Sequence, residues 1–191
     1  KTSPAKLKVN ANKNSAAKAA ASSESAQMAQ AKKTNPLLAV LQLAPQGSLS
    51  VVGYANVRDT AAVNKIIYSA AAKQVLPSDL KLLWGAKPAD GLSVKNVYEL
   101  YALKVTQSNG HAPLEGDVIT DAKDEFDQMS NRPSVSMSMN SDGARRWAEM
   151  TKANINKAIA IVLDGAVYSA PRVNGEISGG NSQITGNFTI E

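Results

Sequence analysis

A strict alternation over Ser134–Met139 places the strongest limit on what this chain can fold into. Val135, Met137 and Met139 are separated by serines. Successive side chains of a β-strand point to opposite faces, so the three larger side chains share one side and the serines share the other. The pattern predicts a strand with one buried face, packed against another layer of the same domain.

A helix is predicted directly after this strand. Asn140, Ser141 or Asp142 supplies a polar N-cap. Apolar or small side chains then recur at intervals of three and four, which is the spacing of one helix face. These residues are Ala144, Trp147, Ala148, Thr151 and Ile155.

Asp164-Gly165 is the strongest turn signal in the chain, with apolar residues on both sides. A type I′ turn needs positive φ at both central residues, which favours this pair. We therefore predict a buried strand over Ala158–Leu163 and a return strand over Ala166–Ser169. A strand, a helix and two strands in succession indicate an α+β class with a mostly antiparallel sheet, helices on one face and ferredoxin-like elements.

The first half of the chain repeats this mixture. Strands are predicted over Leu49–Tyr54, Leu80–Gly85 and Val97–Thr106. A helix over Thr60–Gln74 would begin at an N-cap, Asp59, and would present an apolar stripe to the sheet.

The chain divides by composition near residue 35. Residues 1–35 carry seven lysines and one glutamate, a net charge of +6, and almost no large apolar side chains. Residues 36–191 are nearly neutral, at −1. We predict a flexible Ala/Lys/Ser-rich segment over 1–35, disordered because it cannot bury enough apolar surface. A domain over 36–191 follows, with possible lobes 36–113 and 114–191.

The basic segment has no aromatic residue on which a base could stack. A solvated linker is therefore favoured over a nucleic-acid partner. No apolar run approaches the ~20 residues of a membrane-spanning helix. The chain starts without methionine and ends within what looks like a new element, so we expect a piece of a longer protein.

A cluster of acidic residues is the candidate metal site of the sequence. On a helix, three of them would share a face and offer oxygen ligands to a hard cation. Their spacing does not match a calcium-binding loop, so we predict a solvated face and no metal. The cluster is Asp117, Asp121, Asp124, Glu125 and Asp127.

Catalytic and cofactor motifs are not found in the sequence. There is no cysteine, and the single histidine, His111, follows Asn109-Gly110 in a predicted turn. No nucleophile elbow accompanies it. The glycines between Gly175 and Gly186 do not form a phosphate-binding loop. We predict no catalytic residue, no cofactor and no enzymatic activity.

Residues 114–189 carry a set of ordered motifs. They include an Asn-Arg-Pro-Ser-Val strand start at Asn131, Thr-Lys-Ala-Asn-Ile-Asn-Lys at the helix end, and Ile-Thr-Gly-Asn-Phe near the end of the chain. Between them lies the hairpin Leu163-Asp164-Gly165-Ala166-Val167-Tyr168-Ser169-Ala170-Pro171. In order and spacing they resemble the SecD family, in particular its first large extracytoplasmic domain. Asn156 stands where that family usually has glycine, and Glu115 stands where it usually has threonine.

The resemblance implies structural roles for the motif residues, in turns, bends and strand ends. These residues are Asn154, Lys157, Leu163, Asp164, Gly165, Ser169, Pro171, Ile184, Thr185 and Gly186.

The resemblance also implies a setting. The full-length protein would lie in the cytoplasmic membrane of a bacterium, with this domain on the periplasmic side. Its partners would be SecF, the SecYEG translocon and unfolded preprotein, and it would aid late, proton-gradient-driven steps of export. Two alternatives stay open: a structural spacer that touches no substrate, and an ion-dependent hydrolase that uses the acidic cluster.

Overall fold

The computed structural model describes residues 30, 33–90, 94–127 and 132–185. Over these residues the chain forms a four-stranded sheet, a three-stranded sheet and a two-stranded hairpin, all paired antiparallel within each sheet. The predicted α+β class is therefore confirmed. The segment predicted as flexible lies outside the described residues, except for residues 30 and 33–35.

The first sheet comes from the first half of the chain and has the strand order β1-β2-β4-β3. Asn35 begins the folded part by accepting a hydrogen bond from the backbone N–H of Leu37, with Pro36 in the first turn. The elements are α1 (Pro36–Val40), β1 (Gln42–Leu43), β2 (Val51–Asn56), α2 (Thr60–Ile67), α3 (Ala70–Val75), β3 (Leu80–Trp84) and β4 (Val97–Lys104).

The helix predicted over Thr60–Gln74 is interrupted. Ser69 accepts a hydrogen bond from the backbone N–H of Ala72 at 3.1 Å and starts a second helix. The predicted cap at Asp59 is wrong, because its side chain makes no capping bond and its backbone is already helical. Asn56 provides the cap instead, for a short 3₁₀ turn that leads into α2.

α1 and α2 pack against one face of the first sheet. Val63 of α2 and Leu100 of β4 are 0% and 1% exposed, and Leu41, Ala55 and Ile67 complete the cluster. A side chain of this size contributes roughly 1.5–3 kcal/mol when fully buried, so this cluster holds the half together.

The ferredoxin-like half unit lies here rather than where the sequence predicted it. β2 is followed by the interrupted helix α2–α3 and then by β3 and β4, and β4 pairs with both β2 and β3. The unit predicted from Ser134 to Ser169 does not form one sheet, because β7 and β8 form a two-stranded sheet separate from that of β6.

The second half holds the remaining strands and the longest helix of the described residues. Its sheet has the order β5-β6-β9, and β7 and β8 form the separate hairpin. The elements are β5 (Ile119–Phe126), β6 (Pro133–Met139), α4 (Ser141–Ala153), β7 (Ile161–Leu163), β8 (Ala166–Ser169) and β9 (Asn181–Thr185). The division into lobes 36–113 and 114–191 stays a prediction.

β6 forms where it is predicted, but the side chains that it buries differ from the prediction. Ser134 is 2% exposed, whereas Val135, Met137 and Met139 are only partly buried. The Ser134 hydroxyl donates to the carbonyl of Glu125 at 3.2 Å and accepts from Nε2 of Gln183 at 3.1 Å. Neighbouring strands therefore cover the serine at this end of the strand, which alternation alone cannot show.

α4 packs much as predicted. Asn140 caps it by accepting from the backbone N–H of Gly143 at 2.8 Å. Trp147 and Thr151 are buried, but Ile155 lies beyond the helix end and is 42% exposed. The Thr151 hydroxyl donates to the carbonyl of Trp147 at 2.8 Å and accepts from the backbone N–H of Ile177, so it joins the helix to the loop before β9.

The first turn of α4 lies directly against Val118. A Cβ added at Gly143 would be 2.7 Å from Cβ of Val118, an atom fixed to the backbone.

Among the described residues, no helix is long and apolar enough to cross a lipid bilayer.

We expect Gly143→Ala to lower the free energy of unfolding by about 1–3 kcal/mol, because the added methyl overpacks the contact with Val118. Gly179→Ala is the matched control, since a Cβ there meets nothing within 4 Å. Urea unfolding measures both variants. Equal midpoints for the two would contradict the close approach of α4.

Candidate functional site on an exposed hairpin

The acidic cluster does not lie on a helix. Asp117 belongs to a 3₁₀ turn, and the next three acids lie on β5, so the arrangement of these acids on one helix face is wrong. Residues of a strand alternate between faces, which places Asp124 on the face opposite Asp121 and Glu125. Across the described residues, no three acidic or histidine side chains are grouped so that they could hold a metal ion.

Asp121 pairs with a lysine on its own strand. Its carboxylate lies 2.8 Å from Nζ of Lys123, and both side chains are at least half exposed. The hydrogen bond from Lys123 lowers the pKa of Asp121, and the same bond raises the pKa of Lys123. Both groups therefore stay charged at neutral pH.

His111 lies in a solvent-exposed loop. Its Nδ1 is 2.8 Å from Oε1 of Glu115, and the two side chains are 64% and 53% exposed. Among the described residues, no hydrogen bond joins the His111 ring to a serine hydroxyl, as a catalytic triad would require. The geometry is that of an exposed loop pair.

The family motif at the end of α4 closes the helix. Asn154 is the C-cap, and its side-chain Nδ2 donates to the carbonyl of Met150 at 2.8 Å. The backbone N–H of Lys157 donates to the carbonyl of Asn154, and the carbonyl of Lys157 accepts from Val173. Asn156 has φ +67° at the position where the family usually has glycine, so asparagine occupies the left-handed conformation here.

Four motif residues form the β7–β8 hairpin. Asp164 and Gly165 have φ +49° and +77°, as the predicted type I′ turn requires. Leu163 pairs with Ala166 and Ser169 pairs with Ile161 on either side of it. Pro171 follows β8, and its carbonyl accepts a hydrogen bond from the backbone N–H of Ile159.

The outer face of the hairpin is apolar and exposed. Leu163 lies opposite Ala166, and Tyr168 is two residues further along β8, so all three share one face. Leu163 and Tyr168 are 55% and 51% exposed. The prediction of a buried strand over Ala158–Leu163 is therefore wrong. The strand covers only Ile161–Leu163, and two of its three residues are exposed.

The opposite face of the hairpin is buried at Val167, and the backbone edge of β8 joins the hairpin to the first sheet. Val167 is 3% exposed, and its carbonyl accepts from the backbone N–H of Ala86 at 2.8 Å. Gly85, at the end of β3, forms a parallel bridge with Val167. One buried valine thus fixes which side of the hairpin faces solvent.

The motif near the end of the chain contributes Ile184 and Thr185 to β9, an edge strand of the second sheet. Ile184 is 6% exposed and pairs with Val135, and Thr185 pairs with Ser134. Gly186 lies outside the described residues.

Sequence reasoning missed the exposed pair Leu163 and Tyr168. An apolar run beside a turn looks the same whether or not a layer covers it. The available signal was the short length of both arms around Asp164-Gly165, because a lone two-stranded hairpin has little surface to bury.

Comparison with known proteins assigns the family. The model of the "SecDF, P1 head subdomain" matches residues 98–191. The chain belongs to the SecD family. The match begins at Tyr98 in β4, so it includes the connection to the second sheet as well as every motif discussed above.

Two curated relatives give the extent of the likeness. The protein translocase subunit SecD of Rhodothermus marinus is 48% identical over 152 residues, which is 80% of this chain and 23% of that protein. The SecD of Acidaminococcus fermentans is 44% identical over 84 residues, which is 44% of this chain and 20% of that protein. The chain thus spans about a fifth to a quarter of the length of these relatives.

A solved structure of "a membrane component SecDF that enhances protein export" is 28% identical to this chain. The alignment covers 76% of this chain and 53% of that one, with a TM-score of 0.37.

We expect Gly165→Val to lower the free energy of unfolding by roughly 1–3 kcal/mol, because a β-branched residue resists positive φ. Gly175→Val is the control, since that glycine has no positive φ and an added Cβ there would meet nothing within 4 Å. Thermal unfolding followed by circular dichroism compares the two. Equal melting temperatures would contradict the turn.

We also expect a chelator to leave the melting temperature unchanged, because the acids of β5 are divided between two faces. If EDTA lowered the melting temperature and a divalent cation restored it, the acidic cluster would be an ion site.

Proposed function

We propose that this domain contacts unfolded polypeptide during protein export, and that it does so through the outer face of the β7–β8 hairpin. The observation that carries the proposal is the pair Leu163 and Tyr168, two large side chains more than half exposed on one face of a SecD-family motif. Neither a turn nor a buried core requires an exposed leucine at position 163.

The hairpin offers two modes of contact. Leu163 and Tyr168 provide apolar surface, and the tyrosine adds a hydroxyl at its outer end. β7 pairs with β8 along one edge, and no other described strand pairs with its second edge. An extended chain can therefore bond to backbone groups of β7, which is a recognition mode that tolerates many sequences.

The charge of the domain suits a receptor for many different chains. Residues 36–191 have a net charge of −1. A strong field of one sign would select substrates by their charge, and binding would weaken with salt. Apolar contact and backbone hydrogen bonds avoid that selection, at an affinity of about micromolar or weaker so that a chain in transit is released.

The setting of the domain follows the family. We infer that the whole protein is anchored in the cytoplasmic membrane of a bacterium with this domain on the periplasmic side. There it would work with SecF and SecYEG in late, proton-gradient-driven steps of export. The domain would perform no chemical reaction of its own and would need no cofactor.

A structural spacer is the second candidate. The contact of Val167 with Gly85 and Ala86 favours it, because it joins the hairpin to the first sheet and would hold two parts of the domain in register. A spacer needs the inner face of the hairpin only. The outer face therefore distinguishes the two functions.

We expect the double variant Leu163→Ser and Tyr168→Ser to weaken binding of a reduced, unfolded protein by about tenfold, because roughly 1.4 kcal/mol of apolar contact is lost. Fluorescence anisotropy of a labelled substrate measures this. Val75→Ser is the control, since Val75 is an 83% exposed apolar residue far from the hairpin in sequence. Unchanged melting temperatures would show that both variants fold.

Salt and the basic segment separate this contact from an electrostatic one. The chain without residues 1–29 should bind equally well at low and high salt. Binding that disappears with those residues, or that is unaffected by the two serine substitutions, would contradict the proposed contact at the hairpin. Absence of binding by the unaltered domain would favour the spacer.

A further inference from the structure

The open edge of the β7–β8 hairpin is longer than β7 itself. Val173 donates its backbone N–H to the carbonyl of Lys157 at 2.9 Å, and Ile159 donates to the carbonyl of Pro171 at 3.1 Å. An isolated antiparallel bridge lies between these two bonds. The two arms therefore stay paired beyond the ends of β7 and β8, and the open edge runs from residue 158 to residue 163.

Three residues of this edge direct their backbone groups away from β8. Successive residues of an antiparallel strand turn their N–H and C=O groups alternately toward one neighbour and the other. Lys157 and Ile159 bond to the returning arm. The residues that alternate with them, Ala158, Ala160 and Val162, therefore face the open edge.

The backbone groups of Ala158 and Ala160 are unpaired. Among the described residues, no hydrogen bond involves the backbone N–H or C=O of either alanine, although both residues are partly buried. A backbone group that is shielded from water without a partner costs free energy. The edge is therefore stabilised by a partner that supplies the missing hydrogen bonds.

The side chains along the edge form two rows. Ile159, Ile161 and Leu163 fall on the outer face by strand alternation. Two alanines and a valine make up the inner row. Neither row contains a charge, and the nearest charged residues along the chain are Lys157 and Asp164, one at each end. The outer face thus offers a large aliphatic side chain at every second position of an uncharged edge.

We propose that this edge selects unfolded polypeptide by its pattern, and that it binds uncharged segments in which apolar residues recur at every second position. The inference rests on the function proposed above and adds the class of substrate. Backbone hydrogen bonds to residues 158–162 hold the segment as an added strand. Every second side chain of the segment then lies beside the outer row. Segments that form β-strands in their own folded state have this two-residue period, whereas apolar helices do not.

The chemistry and length of the edge favour a chain in transit over other occupants. A helix bonds its own N–H and C=O groups internally, so it would leave the outward groups of the edge unpaired. A charged segment would lose hydration against an edge that offers no counter-charge between its ends. A stable contact with a second copy takes roughly 20–30 residues a side, far more than residues 158–163 provide. A short edge instead suits weak binding of a segment that must be released.

Two peptides of one composition test the pattern. Each has eight residues with blocked ends, four valines and four threonines, which alternate in the first peptide and form two blocks in the second. Both residue types favour strands, so only the order differs. We expect the alternating peptide to bind the 191-residue chain about tenfold more tightly, since it alone places each valine beside the outer row. Fluorescence anisotropy measures both affinities.

Backbone methylation of the alternating peptide tests the strand pairing with the protein unaltered. In an added strand, the N–H groups that bond to β7 belong to one alternate set of residues, and those of the other set face away. We expect N-methylation of one set to abolish binding and N-methylation of the other to retain it. Loss with the threonine set indicates antiparallel addition, and loss with the valine set indicates parallel addition. Equal effects of the two sets would contradict an added strand.

A proline substitution tests the edge from the side of the protein. Val162→Pro removes an outward N–H, which an edge strand tolerates because that group does not bond to β8. We expect this variant to lose the preference for the alternating peptide at an unchanged melting temperature. Val162→Thr is the matched control, since it keeps the N–H and the side-chain shape, and it should retain the preference.

The outcomes separate this inference from the function on which it rests. Equal binding of the two peptides, both weakened by Leu163→Ser with Tyr168→Ser, would overturn the inference and leave the proposed contact standing. If neither the peptides nor reduced, unfolded protein bound, the proposed function would be wrong and this inference with it. Dimerisation of the chain that Val162→Pro removes, without peptide binding, would assign the edge to a second copy.

Discussion

The burial of Val167 is the contact on which the orientation of the hairpin depends. A two-stranded hairpin cannot cover both of its faces, so one face must pack elsewhere or the element is unstable. Here β8 places Val167 against the end of β3, where a bridge to Gly85 and a hydrogen bond from Ala86 complete the contact. Strand alternation then directs Tyr168 outward. The burial of Val167 therefore leaves the face with Tyr168 available to a partner.

The second half of the domain relies on hydroxyl groups as well as apolar burial. Ser134 and Thr151 are 2% and 0% exposed, and each has partners that satisfy its hydrogen-bonding capacity. A buried polar group costs free energy unless it is paired, so these bonds set positions that apolar contact would leave free to slide. Trp147 differs: its buried Nε1 has no hydrogen-bond partner among the described residues.

Several interpretations of single residues hold in the structure, and others do not. Asp164 and Gly165 adopt the conformations that the turn needs, and Asn140 caps α4, because both depend on backbone chemistry within a few residues. The helical placement of the acidic cluster is wrong, since strand pairing between β5 and β6 overrides a spacing that also fits a helix. The structural roles assigned to the motif residues stay predictions, and the exposure of Leu163 adds a second role to be tested there.

The amino-acid sequence by itself determined what is local or compositional: the α+β class, the turn at Asp164-Gly165, a polar cap within residues 140–142 and the contrast between the basic segment and the neutral remainder. Such features depend on φ preferences, hydrogen bonds over short separations and periodicity. Tertiary structure alone decided that the strand-helix-strand-strand unit lies in the first half and that Leu163 and Tyr168 face solvent. Sheet partners and covering layers come from residues far apart in the chain, and alternation reveals two faces of a strand without saying which of them another element will cover.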